Sequence, residues 1–155
     1  PTKGDYLLTY AVNSGYAAEI KTWQAHHPEV LVHCFWDGDQ ESAQVEIQKN
    51  LFLHRIDQQK FTQLLVHCKA YACTAGFESV CEAMYLSKPI FLVPVSQHIE
   101  QANNAVDAAK TGYCHIGTHF NLDAFMKFIN QEFDNSTFKK WILSAPQRYL
   151  DDLNR

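Results

Sequence analysis

The side chains best suited to chemistry lie between Ala70 and Asn104, a stretch that reads AYACTAGFESVCEAMYLSKPIFLVPVSQHIEQANN. Gly76 can bring backbone close to a phosphate because it has no side chain, although a lone glycine equally marks a tight turn. Ser79 can donate to a phosphate or cap its own helix. Glu78 and Glu82 share one helical face, where like charges repel by about 0.2–0.5 kcal/mol. The positive start of the helix offsets Glu78, and Glu82 lies too deep for that. An acid at Glu82 is either solvated surface or a carboxylate accepting the hydroxyls of a ribose, as acids do in nucleotide sites. Glu100 and Gln101 offer an acceptor beside an amide donor, suited to sugar hydroxyls or to a plain polar first turn.

These residues need a scaffold, and the same stretch supplies one. Tyr71–Cys73 predicts a short strand, Gly76 a turn, the next residues a helix to about Leu86, and Ile90–Val93 a buried strand. A strand–turn–helix unit points unpaired N–H groups at whatever lies above the sheet, and with the helix dipole they favour an anion. There is no GxGxxG and no GxxxxGK[ST], which argues against a dehydrogenase or P-loop enzyme, and no GxSxG hydrolase elbow. The eight histidines are scattered without HxxxH or HExxH spacing, so no metal site is expected. His26 and His27 precede Pro28 at a helix end, where imidazole suits the dipole.

At 155 residues, with 46% hydrophobic and 19% charged content, the chain reads as one globular domain. A net charge of −4 without a basic run leaves no footprint for nucleic acid. No apolar run approaches the roughly 20 residues of a membrane helix. The opening PTKGDYLLTY lacks signal-peptide shape, and its Pro1 in place of an initiator Met suggests an excised domain. Five cysteines (Cys34, Cys68, Cys73, Cys81, Cys114) form no CxxC pair, mostly within apolar runs, which fits a reduced, cytoplasmic protein.

From the N-terminus, Tyr6–Val12 predicts a strand, Asn13–Gly15 a turn, and a helix follows to about Ala25. Val30–Phe35 predicts a second strand, Val45–Ile47 a possible short one, and Leu51–His54 another. Asp57 caps a helix with Phe61, Leu64 and Leu65 on its apolar face. Ile99–Lys110 predicts a helix with Ala102, Ala105, Val106 and Ala109 on one side, stopped at Thr111-Gly112. Tyr113–Ile116 predicts a last strand. Asn121 is expected to cap an amphipathic helix carrying Leu122, Phe125, Phe128, Ile129 and Phe133. Ser136 opens another helical segment through Trp141, interrupted at Pro146. Apolar strands alternating with amphipathic helices predict an α/β fold, a doubly wound, Rossmann-like parallel sheet with helices on both faces. Such sheets bind ligands beyond the carboxyl ends of their strands. The loops at Asn13–Gly15, Arg55–Asp57, Thr74–Glu78 and Pro94–Gln101 should share that edge.

Gly76-Phe77-Glu78-Ser79-x-x-Glu82-Ala83-x-x-x-x-Lys88-Pro89-x-x-x-x-Pro94, followed by Glu100-Gln101 and Asn103-Asn104, resembles the donor-binding half of GT-B glycosyltransferases. The resemblance is to the group of the undecaprenyl-diphospho-muramoyl-pentapeptide N-acetylglucosaminyltransferase and the UDP-glucosyltransferases. It covers almost the whole chain, residues 1–155 then being a single GT-B C-terminal donor-binding domain without its N-terminal acceptor-binding domain.

The resemblance implies an inverting transferase of a hexosyl group from a UDP- or dTDP-sugar. Thr74, Ala75, Gly76, Phe77, Glu78 and Ser79 would hold the donor diphosphate, Glu82 would bind ribose, and Glu100 and Gln101 would meet the donor sugar. Arg55 and the backbone at Ile56 would contact the base, with Ser14 and Gly15 near the phosphates. Thr74 stands where the plant-type motif carries a histidine, and Glu78 where asparagine is usual, which sets a carboxylate near phosphate oxygens. The resemblance implies no cofactor or metal beyond the donor itself. The partner would be the missing acceptor-binding domain or a partner chain, and any membrane contact would lie in that half. This domain alone would bind donor without transferring sugar. No residue stands out as the catalytic base, His98 being the nearest candidate. An epimerase or hydrolase of the same architecture, and a non-catalytic subunit of a split glycosyltransferase, are the alternatives.

Overall fold

A computed structural model describes residues 4–38, 41–131, 134 and 136–153. The chain alternates strand and helix: β1 (Tyr6–Ala11), α1 (Ser14–Ala25), β2 (Leu31–Trp36), β3 (Gln44–Gln48), β4 (Leu51–His54), α2 (Gln58–His67) and β5 (Ala70–Cys73). It continues through α3 (Phe77–Tyr85), β6 (Ile90–Leu92), α4 (Ile99–Ala109), β7 (Cys114–Ile116), α5 (Asp123–Phe128) and α6 (Ser136–Leu153). The strands form one sheet in the order β3-β4-β2-β1-β5-β6-β7, parallel throughout except for the antiparallel edge pair β3–β4.

Successive strand residues point to opposite faces, so a sheet covered on both sides needs apolar side chains at nearly every position. The neighbours Leu7 and Leu8 bury on opposite faces, as do Cys34 and Phe35, and Ile90 and Phe91. One layer sets Leu8, Phe35, Ile90 and Leu92 against Leu65 of α2, Val80 and Met84 of α3, and Ala105 of α4. The other sets Leu7, Val32 and Phe91 against Ile20 and Trp23 of α1 and Phe125 of α5.

Several ends are held by local polar bonds. Asn13 Oδ1 accepts from Tyr16 N at 3.0 Å, and Asp57 Oδ1 from Lys60 N at 2.7 Å, capping α1 and α2. The rings of His26 and His27 meet the Thr22 and Trp23 carbonyls at 2.8 and 2.9 Å, at the negative end of α1. Helix α3 closes with Lys88 N donating to Ala83 O at 2.9 Å and Ser87 N to Met84 O at 3.0 Å, around Ser87 at φ 56°. Lys88 then turns inward. It is 7% exposed, and its Nζ donates to the carbonyls of Val66 at 2.8 Å and Cys68 at 2.7 Å, tying the α3–β6 turn to the end of α2.

Three expected helices differ in detail. On α4 the buried stripe turns toward Ala105 and Ala108, leaving Val106 54% exposed, because α4 meets α3 and β7 from that side. Helix α5 spans only Asp123–Phe128, with Leu122 at its cap. Asn121 Oδ1 accepts from Asp123 N at 3.1 Å, an Asx turn in place of the expected cap. Phe133 lies outside the described residues. Helix α6 runs straight through Pro146. Proline removes one helical hydrogen bond, and the Ser144 hydroxyl and Arg148 guanidinium donate to the Trp141 carbonyl at 2.9 and 3.3 Å. Arg148 also stacks 5.1 Å from the Trp141 ring centroid, spanning the proline.

On the face shared with α2, His33 Nδ1 lies 2.8 Å from His54 Nε2, one ring donating to the other. Burial and the Lys60 charge push His33 down to about 4. Burial, His33 and Lys60 do the same for His54.

Two outcomes follow from these contacts. Lys88→Met strands two carbonyls and should destabilise the fold by about 2–3 kcal/mol in urea unfolding. The histidine pair is neutral when folded, whereas unfolded histidine takes a proton near pH ~6.5. Its contribution is therefore complete above pH ~6.5 and lost progressively as pH falls toward about 4. His33→Gln, which keeps a hydrogen bond to His54, should visibly flatten the dependence of the urea midpoint on pH across that window.

Candidate functional site

Strand β1 has β2 on one side and β5 on the other. The chain runs outward through β2 and β4, then returns across β1 to β5. The loops leaving β1 and β5 therefore part in opposite directions, opening a crevice at the carboxyl edge. A cleft of about 420 Å³ lies there, between the ends of β1 and β5 and the first turns of α3 and α4.

The floor is aromatic. Tyr10, Phe61 and Tyr71 form an edge-to-face chain, with centroids 6.0 and 5.8 Å apart. Tyr71 is fully buried, which raises its phenol well above the usual range, so it stays a neutral donor. Its hydroxyl lies 3.1 Å from Ser79 Oγ, a hydrogen bond that fixes Ser79 at the cleft wall. Burial also raises Tyr10, with a smaller contribution from Asp37.

The rim is the β5–α3 turn. The chain must reverse within three residues, and Ala75 does so at φ 59°, a left-handed conformation that costs a non-glycine residue about 1–2 kcal/mol. Ala75 is completely buried, and its carbonyl accepts from Asn104 Nδ2 at 3.4 Å, so surrounding structure holds the turn. Gly76 follows as the N-terminal cap of α3, with extended backbone and no capping side chain. A Cβ there would meet nothing within 4 Å, so protein packing does not demand a glycine. The first N–H groups of α3 are left without a side-chain acceptor at a positive helix end.

Thr74, only 3% exposed, lines the cleft. Opposite, Gln101 Oε1 accepts from Val95 N at 2.9 Å, which pins the β6–α4 loop and leaves the amide N–H groups as donors. Glu78 also lines the cleft and is exposed. Among the described lining residues it is the only charged one.

Of the residues singled out by sequence, Thr74, Gly76, Phe77, Glu78, Ser79 and Gln101 line this cleft together. Ala75 lies buried directly behind the rim. Glu82 is exposed one turn further along α3, and Glu100 is exposed in the first turn of α4, both outside the cleft wall. Ser14 and Gly15 open α1 on the loop after β1, with Gly15 facing a separate groove between α1 and α5. Arg55 and Ile56 are exposed after β4, and Arg55 N donates to Ala43 O at 3.0 Å. His98 caps α4, its Nδ1 accepting from Gln101 N at 3.4 Å. Tyr10, Val12, Phe61, Tyr71 and Cys73 went unrecognised as cleft walls. For Tyr10 and Tyr71 the available signal was an aromatic residue inside an otherwise aliphatic strand run.

A second cavity of about 430 Å³, between α3, α4 and α6, is walled mainly by Val80, Met84, Phe138 and Trp141. It does not contain the hydroxyls and amide that converge at the β5–α3 turn. None of the five cysteines is in a disulfide, and burial pushes the Cys34 and Cys73 thiols up to about 11 and Cys114 to about 12, so these three are inert near neutrality. No three His, Cys, Asp or Glu side chains among the described residues are grouped to hold a metal ion. No described helix is long and apolar enough to cross a membrane.

The family described as glycosyl transferase family 1 matches residues 1–132. The chain belongs to that family. Its fold is the GT-B glycosyltransferase fold, seen in several solved structures. The kitacinnamycin glycotransferase superposes with a TM-score of 0.64 at 13% identity, over 84% of this chain and 36% of that one. A spinosyn rhamnosyltransferase complexed with thymidine diphosphate gives 0.58 at 12% identity, over 83% and 36%. Arabidopsis thaliana UGT89C1 complexed with UDP-L-rhamnose gives 0.54 at 15% identity, over 96% and 42%. The chain thus spans less than half the length of these structures. No curated protein sequence matches it.

Because the space around Gly76 is open, Gly76→Ala should change unfolding stability by less than about 1 kcal/mol in urea titration.

Proposed function

We propose that this chain is the C-terminal, nucleotide-sugar-binding half of an inverting GT-B glycosyltransferase that transfers a hexosyl group from a UDP- or dTDP-sugar. The observation that carries this reading is the crevice at the sheet's switch point, where the uncapped start of α3 meets Ser79, Thr74 and Gln101. Membership of the glycosyltransferase family supports it, as do the thymidine diphosphate and UDP-L-rhamnose complexes of proteins with the same fold.

In this reading the diphosphate lies against the first turn of α3, where Gly76 lets oxygens approach the backbone N–H groups. The Ser79 hydroxyl, aligned by Tyr71, donates to it. Glu82 reaches the ribose from the next turn, and Gln101, with Glu100 beside it, meets the sugar. Arg55 and Ile56 meet the base from the neighbouring loop, and Ser14–Gly15 close the phosphate side. Leaving-group charge that develops on the diphosphate is stabilised by the helix dipole and its N–H donors. The acceptor and the general base belong to a second half, in a longer chain or a partner. That division suits a chain spanning 36–42% of the structures it resembles.

Calorimetric titration with UDP, dTDP and GDP tests this reading. One pyrimidine diphosphate should bind selectively, and absence of binding by all three would refute it. Glu82→Ala should weaken the preferred nucleotide by about 10- to 100-fold, the loss of hydrogen bonds to a carboxylate. An unchanged affinity would remove Glu82 from the ribose site.

A further inference from the structure

We propose that the cavity between α3, α4 and α6 is a second small-molecule site, which takes a neutral planar aromatic and is coupled to the cleft at the β5–α3 turn. Its effect on donor affinity rests on the nucleotide-sugar reading above, whereas the site itself does not.

The walls set the class of ligand. The cavity holds about 430 Å³, inside the span of roughly 300–1,000 Å³ common for small-molecule sites. Phe138 and Trp141 of α6 line it with rings within 16° of parallel and centroids 6.2 Å apart, and Val80 and Met84 of α3 line it from across. Aromatic rings pack well on one another in offset or edge-to-face arrangements, so such walls suit a flat guest. Trp141 is 55% exposed and Phe77, also in the lining, 67%. A guest seated here removes apolar surface of both from water.

Charge excludes ionic ligands. Asp107 is the charged residue of the described lining, and its Oδ1 already accepts from Lys110 Nζ at 2.7 Å. Thr111 Oγ1 donates to the Ala108 carbonyl. An ion would lose its hydration without gaining an unengaged opposite charge, a cost that a neutral molecule escapes. The Asn104 amide also lines the cavity and can meet one hydroxyl or amine of the guest.

Two residues join this cavity to the cleft. Phe77 lines both. Asn104 lines the cavity, and its Nδ2 donates at 3.4 Å to the carbonyl of Ala75, whose left-handed backbone at φ 59° shapes the cleft rim. A strained turn held by its surroundings is an element whose population a ligand can shift. A guest packed on Phe77 and Asn104 favours the turn as it stands, and so tightens binding in the cleft. Cys81 supplies a local reporter, since it lines the cavity and is the one cysteine that is not buried.

The test titrates the whole chain with N-phenyl-1-naphthylamine, a neutral aromatic whose fluorescence rises in apolar surroundings. Binding should saturate at one site per chain. At ten times its Kd the probe should slow the reaction of Cys81 with N-ethylmaleimide by about tenfold. Cys81→Trp fills the cavity and Trp141→Ala removes a wall at a half-exposed position, and each should weaken the probe by about tenfold or more. Bound probe should also slow amide hydrogen exchange in residues 74–79, and tighten whichever of UDP or dTDP binds by about fivefold. No saturable binding, or binding that leaves Cys81 labelling and both variants unchanged, overturns the site. Binding with unchanged exchange at the turn, or with unchanged affinity for a nucleotide that does bind, overturns the coupling. Slowed exchange with neither nucleotide bound keeps the coupling and overturns the donor reading instead. A dimer in light scattering that Cys81→Trp dissociates puts a second copy in the cavity and overturns the small-molecule assignment.

Discussion

The parallel ladder of β4, β2, β1, β5, β6 and β7 is the constraint on which everything else depends. Parallel strands need crossover segments, and those segments cover both faces of the sheet. Once Leu7 and Leu8, or Ile90 and Phe91, must both be dry, helices have to lie on each side. The same direction of travel gathers the loops after β1, β4, β5 and β6 at one edge. The crevice between β1 and β5 is then a consequence of strand order and not of any single residue.

Within that edge, function and stability make different demands on neighbouring residues. Ala75 accepts a left-handed backbone and is held by burial and by Asn104. Gly76 has open space around it and serves access. Ser79 is aligned from below by Tyr71, itself wedged by Phe61, so a surface hydroxyl inherits its orientation from the aromatic floor. Lys88 is an opposite case. It is a conspicuous charge in the motif, yet it faces inward and joins the end of α2 to the α3–β6 turn, steadying the helix that carries the site.

Glu78 is the point at which this chain departs from a simple anion cradle. Among the described residues lining the cleft Glu78 is the one charged side chain, and its carboxylate opposes the positive end of α3 in setting the local field. Fold-level likeness to other glycosyltransferases is blind to such a difference, because the backbone that defines the fold is indifferent to whether residue 78 is an amide or an acid.

Local pattern alone determined the alternation of strands and helices, the turn at Asn13–Gly15, the cap at Asp57, and the family motif from Gly76 to Gln101. Each is written within a few residues: apolar runs of strand length, capping side chains, and fixed spacing along one helix. Tertiary structure alone decided what meets what. It brought Tyr10, Phe61 and Tyr71 from three elements into one floor, set Glu82 and Glu100 outside the cleft wall, and turned His98 into a helix cap. It ended α5 at Phe128, put an Asx turn at Asn121 in place of the expected cap, and carried α6 through Pro146. The physical reason is range. Periodicity and capping act within a few residues of chain, whereas a wall or the net charge of a cleft exists only when distant segments are packed together.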